Sequence, residues 1–165
     1  MITISSNADQ VLTNLSEKIS RIDGRRIAMA QATWAVGAMR KRIHVDGEAS
    51  DGEQIGIYSD GYMKVRTNSF TSKNYTKGKN KGKPRKTYNV KDSDKVILRL
   101  TGQMKTNMKV FPLGNGAGIG FDNDHDFQKS LWVEETYKKP IYRLTDSERE
   151  TVMKIADIEV KRMLT

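Results

Sequence analysis

The stretch from Val96 to Phe121, VILRLTGQMKTNMKVFPLGNGAGIGF, constrains this chain more than any other. Its apolar residues fall in three short runs: Val96, Ile97, Leu98 and Leu100, then Met108, Val110, Phe111 and Leu113, then Ile119 and Phe121. Short apolar runs bounded by turn residues are strand signals, because successive strand side chains point to opposite faces. Gly114-Asn115-Gly116-Ala117-Gly118 separates the last two runs, and its glycines can take the positive φ that a hairpin turn demands. Thr101-Gly102 breaks the first run and is followed by QMKTN, enough for one helical turn. The expectation is a short buried strand, a helical turn and then a hairpin.

Helices are expected on both sides. Ser6 with Asp9 fits a capping box, and Val11, Leu12, Leu15, Ile19 and Ile22 follow at helical spacing. Gly24 interrupts, and Ile27, Ala30, Trp34, Ala38 and Met39 resume the stripe to about Ile43. Either two helices join at Gly24, or one long helix tolerates it at about 1 kcal/mol. Small residues in the second half (Ala28, Ala30, Ala32, Ala35, Gly37, Ala38) permit close packing against a sheet or a neighbouring subunit, and Trp34 reads as a core residue. At the other end, Thr145 and Glu148 form a capping box, with acids in the first turn and Lys161 and Arg162 in the last. Val152, Ile155, Ala156, Val160 and Met163 make the buried face of that helix. Between hairpin and final helix, Asp126 is expected to cap a short helix carrying Phe127, Leu131 and Val133, and Pro140-Ile141-Tyr142 to run extended. The fold class is therefore α+β: a small antiparallel sheet with a central β-hairpin, packed by an N-terminal helix, continuous or broken at Gly24, and a C-terminal helix. One domain over 1–165 is the default for this length.

Charge is concentrated. The chain carries a net +9, yet Gly61 to Lys91 alone holds ten Lys or Arg and no acid, so the remaining residues sum to −1. Within it, 68–86 shows no periodicity, and such long structureless loops are usually functional or disordered. It is expected to project as a flexible or β-ribbon basic arm, followed by a short strand candidate at Thr87–Val90. Lys73, Lys77, Lys79, Lys81, Lys83, Arg85 and Lys86 are its contact candidates, either for phosphates in a salt-dependent, sequence-nonspecific way or for an acidic patch on a protein neighbour. Before it, Val45 to Asp60 is a turn-rich loop with two Asp-Gly pairs, which Tyr58 and Tyr62 are read as anchoring to the body.

Catalytic and metal motifs do not assemble. The absence of cysteine removes disulfides, thiolate metal sites and thiol nucleophiles. Asp122, Asp124 and Asp126 resemble the opening of a calcium loop, but Phe127 stands where its glycine must be and Val133 at the twelfth position is no ligand. Gly114–Gly120 fits a hairpin turn and not a dinucleotide fingerprint, and Gly78–Lys83 lacks the spacing and the Ser or Thr of a phosphate loop. His44 and His125 lie apart, without a motif, and read as solvated or loop-capping residues. No enzyme, metal or cofactor is expected. Nor is a membrane span, since no apolar run approaches the length required.

LRLTGQMKTNM (Leu98–Met108), GIGFDNDHDFQKSLWVEE (Gly118–Glu135) and KKPIYRLTDSERETV (Lys138–Val152) occur in that order, preceded by MRKRIHVDGEASDG (Met39–Gly52). This ordered set resembles the virion-morphogenesis proteins of tailed bacteriophages, the tail-completion or head–tail joining family. In that family an L-x-x-[ST]-G-x-[LM] segment, a hairpin, a short helix and a proline–aromatic step lead into a final helix. Arg143 and the lysine-rich insertion depart from the pattern. The resemblance implies a structural subunit of the virion neck or tail, one that forms a ring with copies of itself, commonly sixfold, and meets connector or adaptor and tail-tube proteins around the DNA path. It implies assembly in the host cytoplasm and a final location in the virion.

Overall fold

The computed structural model describes residues 7–86, 88, 94–99 and 101–165. Its elements in chain order are α1 (Ala8–Ser20), α2 (Gly24–Lys41), a wide helical turn at Arg42–Asp46, α3 (Asp60–Thr67), α4 (Gln103–Asn107), β1 (Met108–Leu113), β2 (Gly116–Phe121), α5 (Asp124–Tyr137) and α6 (Asp146–Leu164). This is an α+β architecture. β1 and β2 pair antiparallel from Met108↔Phe121 to Leu113↔Gly116, leaving Gly114-Asn115 as a two-residue loop. Gly114 takes φ 53° while Asn115 stays negative, the sign pattern of the primed hairpin turn that carries glycine first.

Gly24 marks a junction between two helices. α1 ends at Ser20 and α2 starts afresh at Gly24, where the Asp23 carboxylate accepts from the Arg26 amide at 3.1 Å. A capping role for Ser6 lies outside the described residues, and Asn7 gives α1 no side-chain cap. The small-residue face of α2 packs against the hairpin and α6, burying Ala32, Ala35, Val36 and Met39. Trp34 is displaced from the core: it is 37% exposed, because the buried stripe runs Ala32, Val36, Met39, Ile43 and the indole lies off it.

Past Lys41 the helix widens, and Arg42, Ile43 and His44 are all buried. A regular helix turns about 100° per residue and would send one of three successive side chains outward, whereas a single wide turn brings them to one side. Gly47 ends the turn at φ 68°, with its Cα facing the Val96 carbonyl so closely that a Cβ would sit 2.5 Å from that oxygen. Ile43 then joins Ala49, Ile55, Tyr58, Val96, Met108 and Ile141 in the core.

Val96 to Arg99 do not form a strand. Val96 is fully buried and Lys95 forms an isolated bridge with Ile57, but Leu98 turns the chain at φ 43°, and Leu100 lies outside the described residues. The Thr87–Val90 strand candidate, Tyr88 apart, also lies outside them. At α5 the cap is Asn123, whose Oδ1 accepts from the Asp126 amide at 2.8 Å, and Asp126 is instead a buried residue of the first turn. Thr145 and Glu148 form the reciprocal capping box read from the sequence, and Val152, Ile155, Ala156, Val160 and Met163 are half-buried on α6.

Candidate functional site

The lysine-rich arm is a ribbon folded on itself. Its two limbs meet at an Asn74–Pro84 bridge, with Tyr75 N–H donating to Lys83 O (3.0 Å), Gly82 N–H to Tyr75 O (2.8 Å) and Arg85 N–H to Lys73 O (2.9 Å). Gly78 and Gly82, at φ 76° and 83°, make the reversal possible. Arg85 holds the ribbon together from within. Its guanidinium lies over Phe70 (4.2 Å) and Tyr75 (4.7 Å), and its Nε donates to the Ser72 and Asn74 carbonyls. Arg85 is thus engaged inside the arm, leaving Lys73, Lys77, Lys79, Lys81, Lys83 and Lys86 as its exposed cations. Lys77, Lys79 and Lys81 cluster at the tip, and Lys86 returns to the body.

Lys86 lines a groove of about 850 Å³ that sequence reasoning missed. The groove's apolar wall comes from Ile57, Tyr58, Tyr62, Met104, Trp132 and Tyr137, and its polar lining includes His125 and Lys129. Ile57 and Trp132 are exposed there, 67% and 56%. This volume falls within the range of binding clefts. No local spacing announces it, because its walls come from four separate stretches of chain, 57–62, 86–88, 98–104 and 125–137.

The groove rests on buried polar groups. Arg66 is fully buried, stacked over Tyr58 (4.5 Å) with Tyr62 beyond (5.9 Å), and donates to the Arg99 carbonyl at 2.7 Å. Tyr58 and Tyr62 do anchor their loop, with their rings 4.9 Å apart beside this cation. The Tyr58 hydroxyl accepts from the Ile97 amide at 3.3 Å, and His44 Nδ1 lies 3.3 Å from the Leu98 carbonyl. His44 therefore caps a loop as expected but is wholly buried, and burial pulls its imidazole down to about 4 against the opposing carbonyls of Leu98 and Ile97. His125 is exposed.

Asp126 ties α4 to the start of α5. Burial alone would raise its pKa, but hydrogen bonds from Lys129 (2.9 Å), Asn123 (3.0 Å) and Asn107 (2.6 Å) outweigh it and hold the carboxyl at about 2. These partners read as a brace between α4 and α5. Among the described residues, no three His, Asp or Glu side chains gather in a way that could hold a metal ion. Nor is any helix there long and apolar enough to cross a membrane.

A further surface belongs to α1. Val11, Leu12, Leu15 and Ile19 lie on one stripe as the sequence predicts, yet each is between 51% and 61% exposed, and α1 buries no residue. The class the structure defines is an α+β chain with a packed centre and three outlying surfaces: an apolar helix, an aromatic groove and a cationic ribbon. No family model, curated protein or solved structure matches this chain.

Proposed function

We propose that the chain is a structural subunit of a tailed-bacteriophage neck or tail, assembling with copies of itself into a ring that completes the tail or joins it to the head. The observation that carries the reading is α1: four large apolar side chains stand on a helix with no buried residue. A 13-residue helix is marginal alone in water, and contiguous exposed apolar surface marks a site of association. The ordered motifs from Met39 to Val152 supply the particular assembly. Connector or adaptor and tail-tube proteins are its proposed neighbours, and the virion its location. Mass spectrometry of purified particles, with electron microscopy of isolated necks, tests this. Finding the chain in a ring at the neck supports the reading, and its absence from purified particles ends it.

The six exposed lysines favour a second reading, sequence-nonspecific nucleic-acid binding through the arm. If all six met phosphates, log affinity for duplex DNA would fall against log salt with a slope of about −5, and K77Q/K79Q/K81Q would lower that slope by about 3. Gel shifts over a salt series measure it. Binding that is absent at low salt, or insensitive to salt, rules it out.

A further inference from the structure

We infer that copies of this chain join head to tail, with the apolar stripe of α1 from one copy seated in the aromatic groove of the next. The inference deepens the assembly reading above by naming the two surfaces that meet, and it rests on that reading only for the premise that copies associate.

The two surfaces fit each other in kind. Leu12, Leu15 and Ile19 stand at i, i+3 and i+7, with Val11 beside them, the spacing by which an amphipathic helix anchors in an apolar groove. The groove of about 850 Å³ offers Ile57, Tyr58, Tyr62, Trp132 and Tyr137, and aromatic walls of this kind dominate the centres of protein interfaces. Charge is complementary as well. The charged side chains lining the groove, Lys86 and Lys129, are basic, and α1 carries the acids Asp9 and Glu17 against the single base Lys18.

The groove of the same copy lies at the other end of α2. α1 joins the N-terminal end of α2, whereas Leu98, which lines the groove, meets His44 just past its C-terminal end. The 18 residues between span about 27 Å, against about 20 Å for the 13 residues of α1. The junction between the two helices is itself pinned. Arg21 and Ile22 amides donate to Lys18 and Ile19 carbonyls, Asp23 caps α2, and the Asp23 amide meets Met163 Sδ at 3.3 Å. A contact between two different surfaces on identical chains repeats in one direction, and it closes into a ring when the rotation between copies allows.

The test is self-association and complementation of the full chain, by sedimentation velocity. L12A/L15A removes two anchors while keeping α1 a good helix former, and W132A removes the exposed groove aromatic. Circular dichroism establishes that both remain folded. Wild-type protein is expected to associate, and each variant alone to do so about tenfold or more weakly. Mixed in equal amounts, the variants are expected to form a one-to-one dimer, since one supplies an intact groove and the other an intact α1. A monomeric wild type overturns the inference, as does an L12A/L15A variant that assembles normally. If W132A assembles normally while L12A/L15A does not, α1 pairs with itself or another surface. If the mixture stays monomeric, the two surfaces do not meet. Virion incorporation is measured separately, so failure here and failure of the assembly reading remain distinguishable.

Discussion

Arg42 is the residue whose loss should cost this fold most. Its side chain is buried and makes four bonds: to Glu148 Oε1 at 2.9 Å, and to the Glu48, Ile141 and Arg143 carbonyls at 3.1, 3.3 and 2.6 Å. Glu148 is buried as well, and its other oxygen receives the Thr145 amide at 2.8 Å in the capping box. One guanidinium thus joins the end of α2, the loop after it, the Pro140–Arg143 return and the start of α6. Replacing Arg42 by Met keeps the stem and removes the charge, leaving a buried carboxylate without its partner and three carbonyls without a donor. Breaking a buried pair from one side costs about 3–5 kcal/mol. That is a large part of the roughly 5–15 kcal/mol by which a domain is stable. At about 2–4 °C per kcal/mol for a chain of this length, the melting temperature should fall by roughly 10–15 °C.

The double variant R42M/E148L separates charge pairing from packing. With both ions gone the buried charge disappears, so the double loss should be about 2 kcal/mol, less than that of R42M alone, although a cap and a donor set are missing. Urea unfolding of the wild type, both singles and the double closes the cycle: with each single costing about 3–5 kcal/mol and the double about 2, the coupling should be about 4 kcal/mol or more. A loss below about 1 kcal/mol for R42M, or additive singles, would refute the role assigned to Arg42.

The remaining expectations concern pH, backbone strain and the exposed helix. Because His44 has a folded pKa of about 4 against 6.5 unfolded, its neutral form contributes stability fully above 6.5, and that contribution is lost as pH falls toward 4, by about 3 kcal/mol in total. Thermal melts between pH 7 and 4 should show the slope in wild type and lose it in His44→Gln; Asp126, depressed from 3.8 to about 2, acts only below that window. Gly47→Ala combines a left-handed φ with a Cβ 2.5 Å from the Val96 carbonyl and should cost over about 2 kcal/mol, whereas Gly52→Ala, at φ 82° with open space around it, should cost about 1 kcal/mol; equal losses in denaturant titrations would contradict the close approach. Amides of α1 should exchange near the unprotected rate in dilute protein and slow as concentration rises; protection independent of concentration would show that α1 is covered within its own chain.

Local chemistry was legible in the sequence, and long-range placement was not. The hairpin and the Thr145–Glu148 capping box each depend on residues within a few positions of one another; the capping box stands as read, and the hairpin stands with a shorter turn, since Gly116–Gly118 of the glycine run pair in β2. Val96 to Arg99 fail as a strand because an apolar run reports burial and not conformation: Val96 is buried, but φ 43° at Leu98 turns the backbone away. Trp34 misleads for a related reason. A large indole outweighs small residues in any reading of a stripe, while the face that packs is marked by Ala32 and Ala35, which let α2 approach the hairpin. Buried Arg42 and Arg66 had no local signal at all, since their partners lie up to about a hundred residues away.

Buried Arg66 and the groups around it brace the groove from beneath. Arg66 stacks on Tyr58 and braces Tyr62, Tyr58 accepts from Ile97, and His44 meets the Leu98 carbonyl. Tyr58, Tyr62 and Leu98 all line the groove, so this part of its wall is fixed before anything enters. Among the described residues, α1 buries none of its side chains, and it meets the body at its Asp23 junction and at α6. A prepared groove lowers the ordering cost of association, and a helix loosely held at one end can adjust its angle to a neighbour. In the proposed head-to-tail contact, the braced groove would set the angle between copies and the projecting helix would adjust to it.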